Sequence, residues 1–226
     1  MPKLKCRYCC SEFVRPSSRK ALYCSFECSV RHKRRKLTVD LNKETPELCY
    51  WMGFLFGDGN IDSNGKLQVC LSSKDSGLLT QLSIFLFDKD YINRYNNRCH
   101  LQYSNLEIQK PLSRYGIIPG KTENSVLILP EKYKSDFIRG YFDADGWYSS
   151  KDYKHKNGKF YPKYVWGICS YLLENLEIIN RELPVQGRIA KKKKQELYEL
   201  RFQSKKDIEE VRNYLYGTPN LERKWL

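Results

Sequence analysis

The chain has 226 residues, 41% hydrophobic and 29% charged, with 40 Lys/Arg against 26 Asp/Glu and a formal net charge of +14. That length holds one large or two small domains with a real core. The absence of any run of about 18 apolar residues excludes a membrane span, and the start, MPKLKCRYCC, lacks the apolar centre of a signal peptide. The expectation is an intracellular protein with no membrane partner, its nine cysteines mostly reduced. The charge is clustered: residues 1–36 carry a net +9, residues 37–145 a net −2 and residues 146–226 a net +7. Surface lysines kept for solubility would explain the total but not the clustering, which points to a polyanion, most simply nucleic acid.

Residues 1–36 read as a small metal-dependent module. Cys6-x2-Cys9 and Cys24-x3-Cys28 are two chelating pairs around a polar stretch, a spacing suited to tetrahedral Zn²⁺. A segment this short buries no core, so the metal would supply its folding energy. Ser25 suits the cap of a helix running through Ser29-Val30-Arg31. The module resembles a treble-clef or zinc-ribbon finger. Cys10 is a spare that can replace Cys9, and His32, with four cysteines present, is not expected to ligate. The run Arg31–Lys36 is a DNA-facing helix end, a basic linker or an import signal. Residues 37–46 read as a linker, with Thr45-Pro46 opening the next helix.

Two later stretches share an odd grammar. Trp51–Gly59 reads WMGFLFGDG and Ile138–Gly146 reads IRGYFDADG. Gly53 and Gly57, like Gly140 and Ala144, are four apart and share one helix face. Such a face admits another helix backbone to backbone. Each stretch ends in a carboxylate and a glycine, Asp58-Gly59 and Asp145-Gly146. The glycine suits a helix stop, whereas the carboxylate is repelled by the negative helix end. Packed parallel, the two helices bring both carboxylates together, an oxygen cluster that suits Mg²⁺. Core helices with glycine stops explain either stretch alone. The same pattern at Asp58 and again 87 residues later at Asp145 favours a site.

The segments between them alternate. Asn60–Asp62 and Lys66–Leu71 flank a Ser63-Asn64-Gly65 turn. Ser76–Phe87 reads as a helix, Tyr91–Arg98 and Leu101–Ser104 as a hairpin, and Asn105–Tyr115 as a helix stopped by Gly116. After the second stretch the order repeats: a hairpin of Trp147–Tyr153 and Val165–Ser170 with a lysine-rich excursion, helix Tyr171–Leu183, strands Gly187–Lys191 and Leu197–Gln203, helix Lys206–Tyr216. An αββαββα order met twice is an internal duplication, with halves 47–130 and 131–226. The strands carry long polar groups at alternate positions: Lys66, Gln68, Arg94, Gln102, Lys159, Lys163, Arg188, Lys192, Arg201 and Gln203. Any one of these suits a solvated sheet face; as a set, with the charge bias, they suit a ribbon lying in a DNA groove.

The two stretches resemble the paired motifs of the LAGLIDADG homing endonucleases. IRGYFDADG is a near-complete match; WMGFLFGDG has Phe56 where the first acid usually sits. The resemblance covers residues 47–226, and the finger is an addition. It implies an α+β fold of two pseudo-twofold αββαββα halves whose strands form a saddle over double-stranded DNA. It implies that Asp58 and Asp145 act at the active site, with carbonyls of Gly57 and Ala144 completing the coordination of Mg²⁺ or Mn²⁺, and that Asp143 is structural. Lys121, in GIIPGKT, resembles the lysine that inteins and related enzymes place between the motifs, and Lys224, in LERKW, holds the corresponding place in the second half; each is otherwise a surface lysine. The implied activity is site-specific hydrolysis of both DNA strands by a monomer. The alternatives on the same fold are a catalytically silent DNA-binding regulator and a maturase acting on intron RNA. Retention of both terminal aspartates favours the endonuclease. A zinc-dependent structural module without nucleic acid fits the charge distribution poorly.

Overall fold

In a computed structural model, the described residues are 3–6, 9–14, 21–33, 36–120, 124–156, 158–192 and 195–216, with the backbone alone for 30–33. They form two compact units, Met1–Thr38 and Val39–Leu226.

In the first unit, β1 (Lys3–Lys5) pairs antiparallel with β2 (Glu12–Val14), and helix α1 (Phe26–Lys33) follows. Ser25 Oγ accepts the Cys28 N–H at 3.0 Å and so caps α1.

The second unit is α+β and built twice. Helix α2 (Pro46–Asp58) leads into β3 (Gly59–Ile61), β4 (Lys66–Ser72), α3 (Ser76–Phe87), β5 (Asn93–Tyr95), β6 (Arg98–Ser104) and the short α4 (Gln109–Ser113). Helix α5 (Lys134–Asp145) then leads into β7 (Gly146–Lys154), β8 (Phe160–Ser170), α6 (Leu173–Glu182), β9 (Arg188–Lys191), β10 (Tyr198–Phe202) and α7 (Lys205–Leu215). The two four-stranded antiparallel sheets have matching strand orders, β3-β4-β6-β5 and β7-β8-β10-β9. One face of each is buried: Leu67, Val69, Leu101 and Tyr103 in the first, Trp166, Ile168, Leu200 and Phe202 in the second. Phe142 of α5 stacks on Trp166 with ring centroids 4.5 Å apart.

Thr45 Oγ1 accepts the Leu48 N–H at 3.1 Å, and Pro46 fills the first turn, where its missing N–H costs nothing. Nine consecutive residues of α2, Leu48 to Phe56, are buried, so the helix runs through the core.

Three local expectations change. The segment 105–115 is a 3₁₀ turn (Leu106–Ile108) followed by five residues of α4, with Pro111 withholding an N–H inside it. The turn Asn96-Asn97 is tight, with Asn96 at φ 50°, so Arg98 opens β6 rather than closing β5. Gly59 and Gly146 are extended, at φ −79° and −86°, not left-handed. They are glycines because of crowding: a Cβ at Gly59 would lie 2.6 Å from the Leu55 carbonyl oxygen, and one at Gly146 would enter the Phe142 ring.

Candidate active site and nucleic-acid interface

Helices α2 and α5 pack side by side through their small residues. A Cβ on Gly53 would overlap the carbonyl oxygen of Phe137, one on Gly140 that of Tyr50, and one on Gly57 the Cβ of Ala144. Residue numbers rise together along both helices, so the pair is parallel and the two C-terminal ends meet. The added Cβ at Gly57 would also lie 3.1 Å from Asp145 Oδ2. The carboxylate of the second motif therefore sits beside the penultimate residue of the first helix. Asp145 is exposed and Asp58 half-buried. Two carboxylates at converging negative helix ends are held there against electrostatics, and an all-oxygen donor set of this kind fits a hard divalent cation.

Asp143 stands elsewhere. It is 3% exposed and accepts the Tyr50 hydroxyl at 2.9 Å and the Tyr216 hydroxyl at 2.6 Å. The Arg139 guanidinium lies over the rings of both tyrosines, at 5.0 and 5.9 Å, and bonds Asp136 at 2.8 Å. The corresponding residue of the first motif, Phe56, meets the Tyr141 ring edge-on at 5.3 Å. One motif fills this place with a ring and the other with a hydrogen-bonded acid.

A cavity of about 300 Å³ opens next to Asp145, lined also by Gly57, Ser125, Cys169, Ser170 and Asn175. Burial pushes the Cys169 thiol up, and the Lys192 ammonium beside it draws it partly back. Glu199, 5% exposed, accepts Lys192 at 2.8 Å and Arg201 at 2.6 Å. Both cations also lie over the Trp147 ring, at 5.5 and 5.9 Å. Thus Lys192 and Arg201 are held in place by a buried acid that alternation alone does not mark.

On the first sheet, Lys66, Gln68 and Gln102 share the open face, with Gln68 directly opposite Gln102. Asn60, Cys70, His100 and Arg98 join them there by register, and sequence reasoning missed these four. Arg94 is on the other face: it pairs with buried Cys99, and its guanidinium reaches Asp90 at 2.9 Å and Thr80 at 3.0 Å. The parity of a three-residue strand depends on where its turn falls, and the Asn96-Asn97 turn sets it against Arg94. On the second sheet, Arg188 opposes Arg201, and Gln203 joins both around a cavity of about 390 Å³. Lys163 opposes Lys151, and Lys159 lies at the hairpin end, its carbonyl bonded by the His155 N–H. Lys121, Lys224 and the His32 side chain lie outside the described residues.

In the first unit, the sulfurs of Cys6, Cys9, Cys24 and Cys28 all lie within 4.8 Å of one another. Cys9–Cys24 and Cys24–Cys28 are 3.5 and 3.4 Å apart, close to the roughly 3.8 Å edge of a tetrahedron with 2.3 Å metal–sulfur bonds. Cys10 is exposed, at φ 60°, and its N–H closes a turn on the Cys6 carbonyl. Cys9 rather than Cys10 therefore completes the cluster. Hydrogen bonding with the Cys28 and Cys9 thiols pushes Cys24 up to about 12. Four sulfur donors at this spacing suit a tetrahedral Zn²⁺.

Among solved structures, the meganuclease I-SmaMI bound to uncleaveable DNA superposes with a TM-score of 0.59 at 14% identity, over 79% of this chain and 84% of that one. The LAGLIDADG meganuclease I-AabMI bound to uncleaved DNA gives 0.55 at 15% identity, over 80% and 87%. The fold is that of the LAGLIDADG homing endonucleases. Helices α2 and α5 carry the two stretches WMGFLFGDG and IRGYFDADG and end at Asp58 and Asp145. No family model matches the chain. A relative, the uncharacterized protein MJ0398 of Methanocaldococcus jannaschii, is 26% identical over 151 residues, 62% of this chain and 52% of that protein. The chain thus spans about half the length of this relative. Among the described residues, no helix is long and apolar enough to cross a membrane.

Proposed function

We propose that the chain is a site-specific DNA endonuclease of the homing type, a monomer that hydrolyses both strands of a double-stranded target. The observation that carries this reading is the meeting of two carboxylate-terminated helices at one point, brought there by glycine contacts that leave no room for side chains. Asp58 and Asp145 would hold Mg²⁺ or Mn²⁺, one carboxylate from each half, with the carbonyls of Gly57 and Ala144. Bound there, the ion would supply an activated water and charge neutralisation at the scissile phosphate. The protein's own groups bind and orient the duplex. Lys66, Gln68, Gln102, Arg188 and Gln203, with Lys192 and Arg201 steered by Glu199, present donors to base edges and phosphates. Lys163 and Lys159 extend that row, whereas Arg94, tied to Asp90, has no part in it. Lys121 and Lys224 are proposed as cations assisting the two centres. Cys6, Cys9, Cys24 and Cys28 would hold a structural Zn²⁺. Two halves in one chain support action as a monomer.

The test is selection of cut sites from a randomised duplex library by the full chain with Mg²⁺ or Mn²⁺, and with EDTA as control. Recovery of one cut sequence, dependent on metal, is expected. Specific duplex binding with no cutting under either metal would favour the regulator; preference for intron RNA would favour the maturase.

A further inference from the structure

Among the described residues, one hairpin differs clearly between the two halves. Strands β3 and β4 pair over three registers, from Gly59 opposite Val69 to Ile61 opposite Leu67. Their counterparts β7 and β8 pair over nine, from Gly146 opposite Ile168 to Lys154 opposite Phe160. The second half thus carries an arm without a counterpart in the first. Residues 150–164 of this arm hold five lysines against one acid.

The layout of the arm is unfavourable for a hairpin in water alone. Lys151 stands directly opposite Lys163, and like charges across a ladder destabilise it. Two register pairs further, and so on the same face, Tyr153 stands opposite Tyr161, with exposures of 55% and 47%. That face is continuous with Trp147, where Lys192 and Arg201 gather. On the reverse face Phe160 is 63% exposed, with the Lys154 ammonium 5.9 Å from its ring centroid. A solubilising arm has use for the lysines but not for three exposed rings. Aromatic faces interleaved with cations match a nucleic-acid strand, whose bases offer π-faces and whose phosphates offer charge.

We propose that the β7–β8 arm, beyond its part in the row of groove contacts, is a base-stacking contact for DNA whose bases are exposed, single-stranded or locally unstacked. Tyr153 and Tyr161 stack on bases while Lys151 and Lys163 hold the flanking phosphates. This deepens the DNA reading above and rests on it.

Binding of the full chain to fluorescein-labelled oligo(dT), followed by anisotropy across a salt series, tests the arm. The double variant Tyr153→Ala/Tyr161→Ala should bind roughly tenfold more weakly for each ring lost, with an unchanged salt slope. Tyr153→Phe/Tyr161→Phe should retain binding, and the single variants Tyr153→Ala and Tyr161→Ala, each expected to bind roughly tenfold more weakly, keep the test open should the double change disturb folding. Lys151→Ala/Lys163→Ala should instead flatten the salt slope by roughly 0.7 for each lysine. Wild-type binding by the tyrosine-to-alanine protein, or no oligo(dT) binding by the wild type, would overturn the assignment. The duplex-cutting assay is scored separately, so a chain that binds oligo(dT) through these rings but never cuts refutes the endonuclease and not the arm.

Discussion

Asp143 and Asp145 are two residues apart and do different work. Asp143 accepts two tyrosine hydroxyls inside the helix interface, while Asp145 faces outward at the helix end. Asp143→Asn replaces a two-way acceptor by an amide that cannot accept both hydroxyls at its nitrogen side. The expected loss is about 1–3 kcal/mol of stability in a urea titration, with cutting per folded molecule preserved. Loss of cutting at unchanged stability would put Asp143 in the chemistry. The terminal aspartates were legible in the sequence because their misfit with the helix dipole occurs twice. Glu199 was not, since one acid in an alternating strand reads as an ordinary surface group, and only the pairing of β8, β9 and β10 shows it closed in by Lys192 and Arg201. Arg94 misled for the opposite reason: its type suits DNA, and its register turns it toward Asp90.

At the scale of elements, the contact between α2 and α5 sets the geometry of everything else. Gly53→Ala or Gly140→Ala pushes a methyl group into a backbone carbonyl of the partner helix. Helices must separate, at a cost of roughly 1–3 kcal/mol or more, and the carboxylates shift apart. Both the urea midpoint and cutting should fall, and a neutral result would contradict the backbone-to-backbone contact. The same core resists ionisation. Burial pushes the Cys49 thiol up to about 12 and raises the Tyr50, Tyr115 and Tyr141 hydroxyls above their ordinary range. Folded groups with raised pKa hold their protons more tightly than the unfolded chain does. Their stability is complete below about pH 9 and is lost as pH climbs toward 12. The urea midpoint should therefore drop between about pH 8 and about pH 10.5; a constant or rising midpoint would contradict the burial of these groups. The helix and strand order was legible from capping residues and period-two alternation. Segment ends were not, because Pro111 and the Asn96-Asn97 turn act through local geometry.

At the scale of the molecule, the chain joins a duplicated α+β unit to a cysteine-bearing unit, each compact by itself. The duplication was visible as a repeated order of elements, and its asymmetry, the long β7–β8 arm, as a lysine-rich excursion whose aromatic rings drew no notice. The four clustered thiols predict one zinc per chain in elemental analysis of protein purified without added metal. Cys24→Ser should lose it and Cys10→Ser should keep it. Retention by Cys24→Ser would remove Cys24 from the metal site, and an absence of zinc from the wild type would remove the metal from the account. Residues 39–226 expressed alone should remain folded and bind DNA with a shallower salt dependence, since residues 1–36 carry a net +9.

The most direct measurement is strand-resolved cleavage of the selected duplex, each strand labelled separately, by wild type, Asp58→Asn and Asp145→Asn. The amide keeps the shape of the side chain and removes the charge proposed to bind the cation. The account predicts that each variant folds and binds the duplex as the wild type does. It predicts that each loses double-strand cutting, by nicking one strand only if the two centres are independent or by cutting neither if they share an ion. Full double-strand cutting by either variant would contradict the assignment of Asp58 and Asp145 as the two halves of the active site.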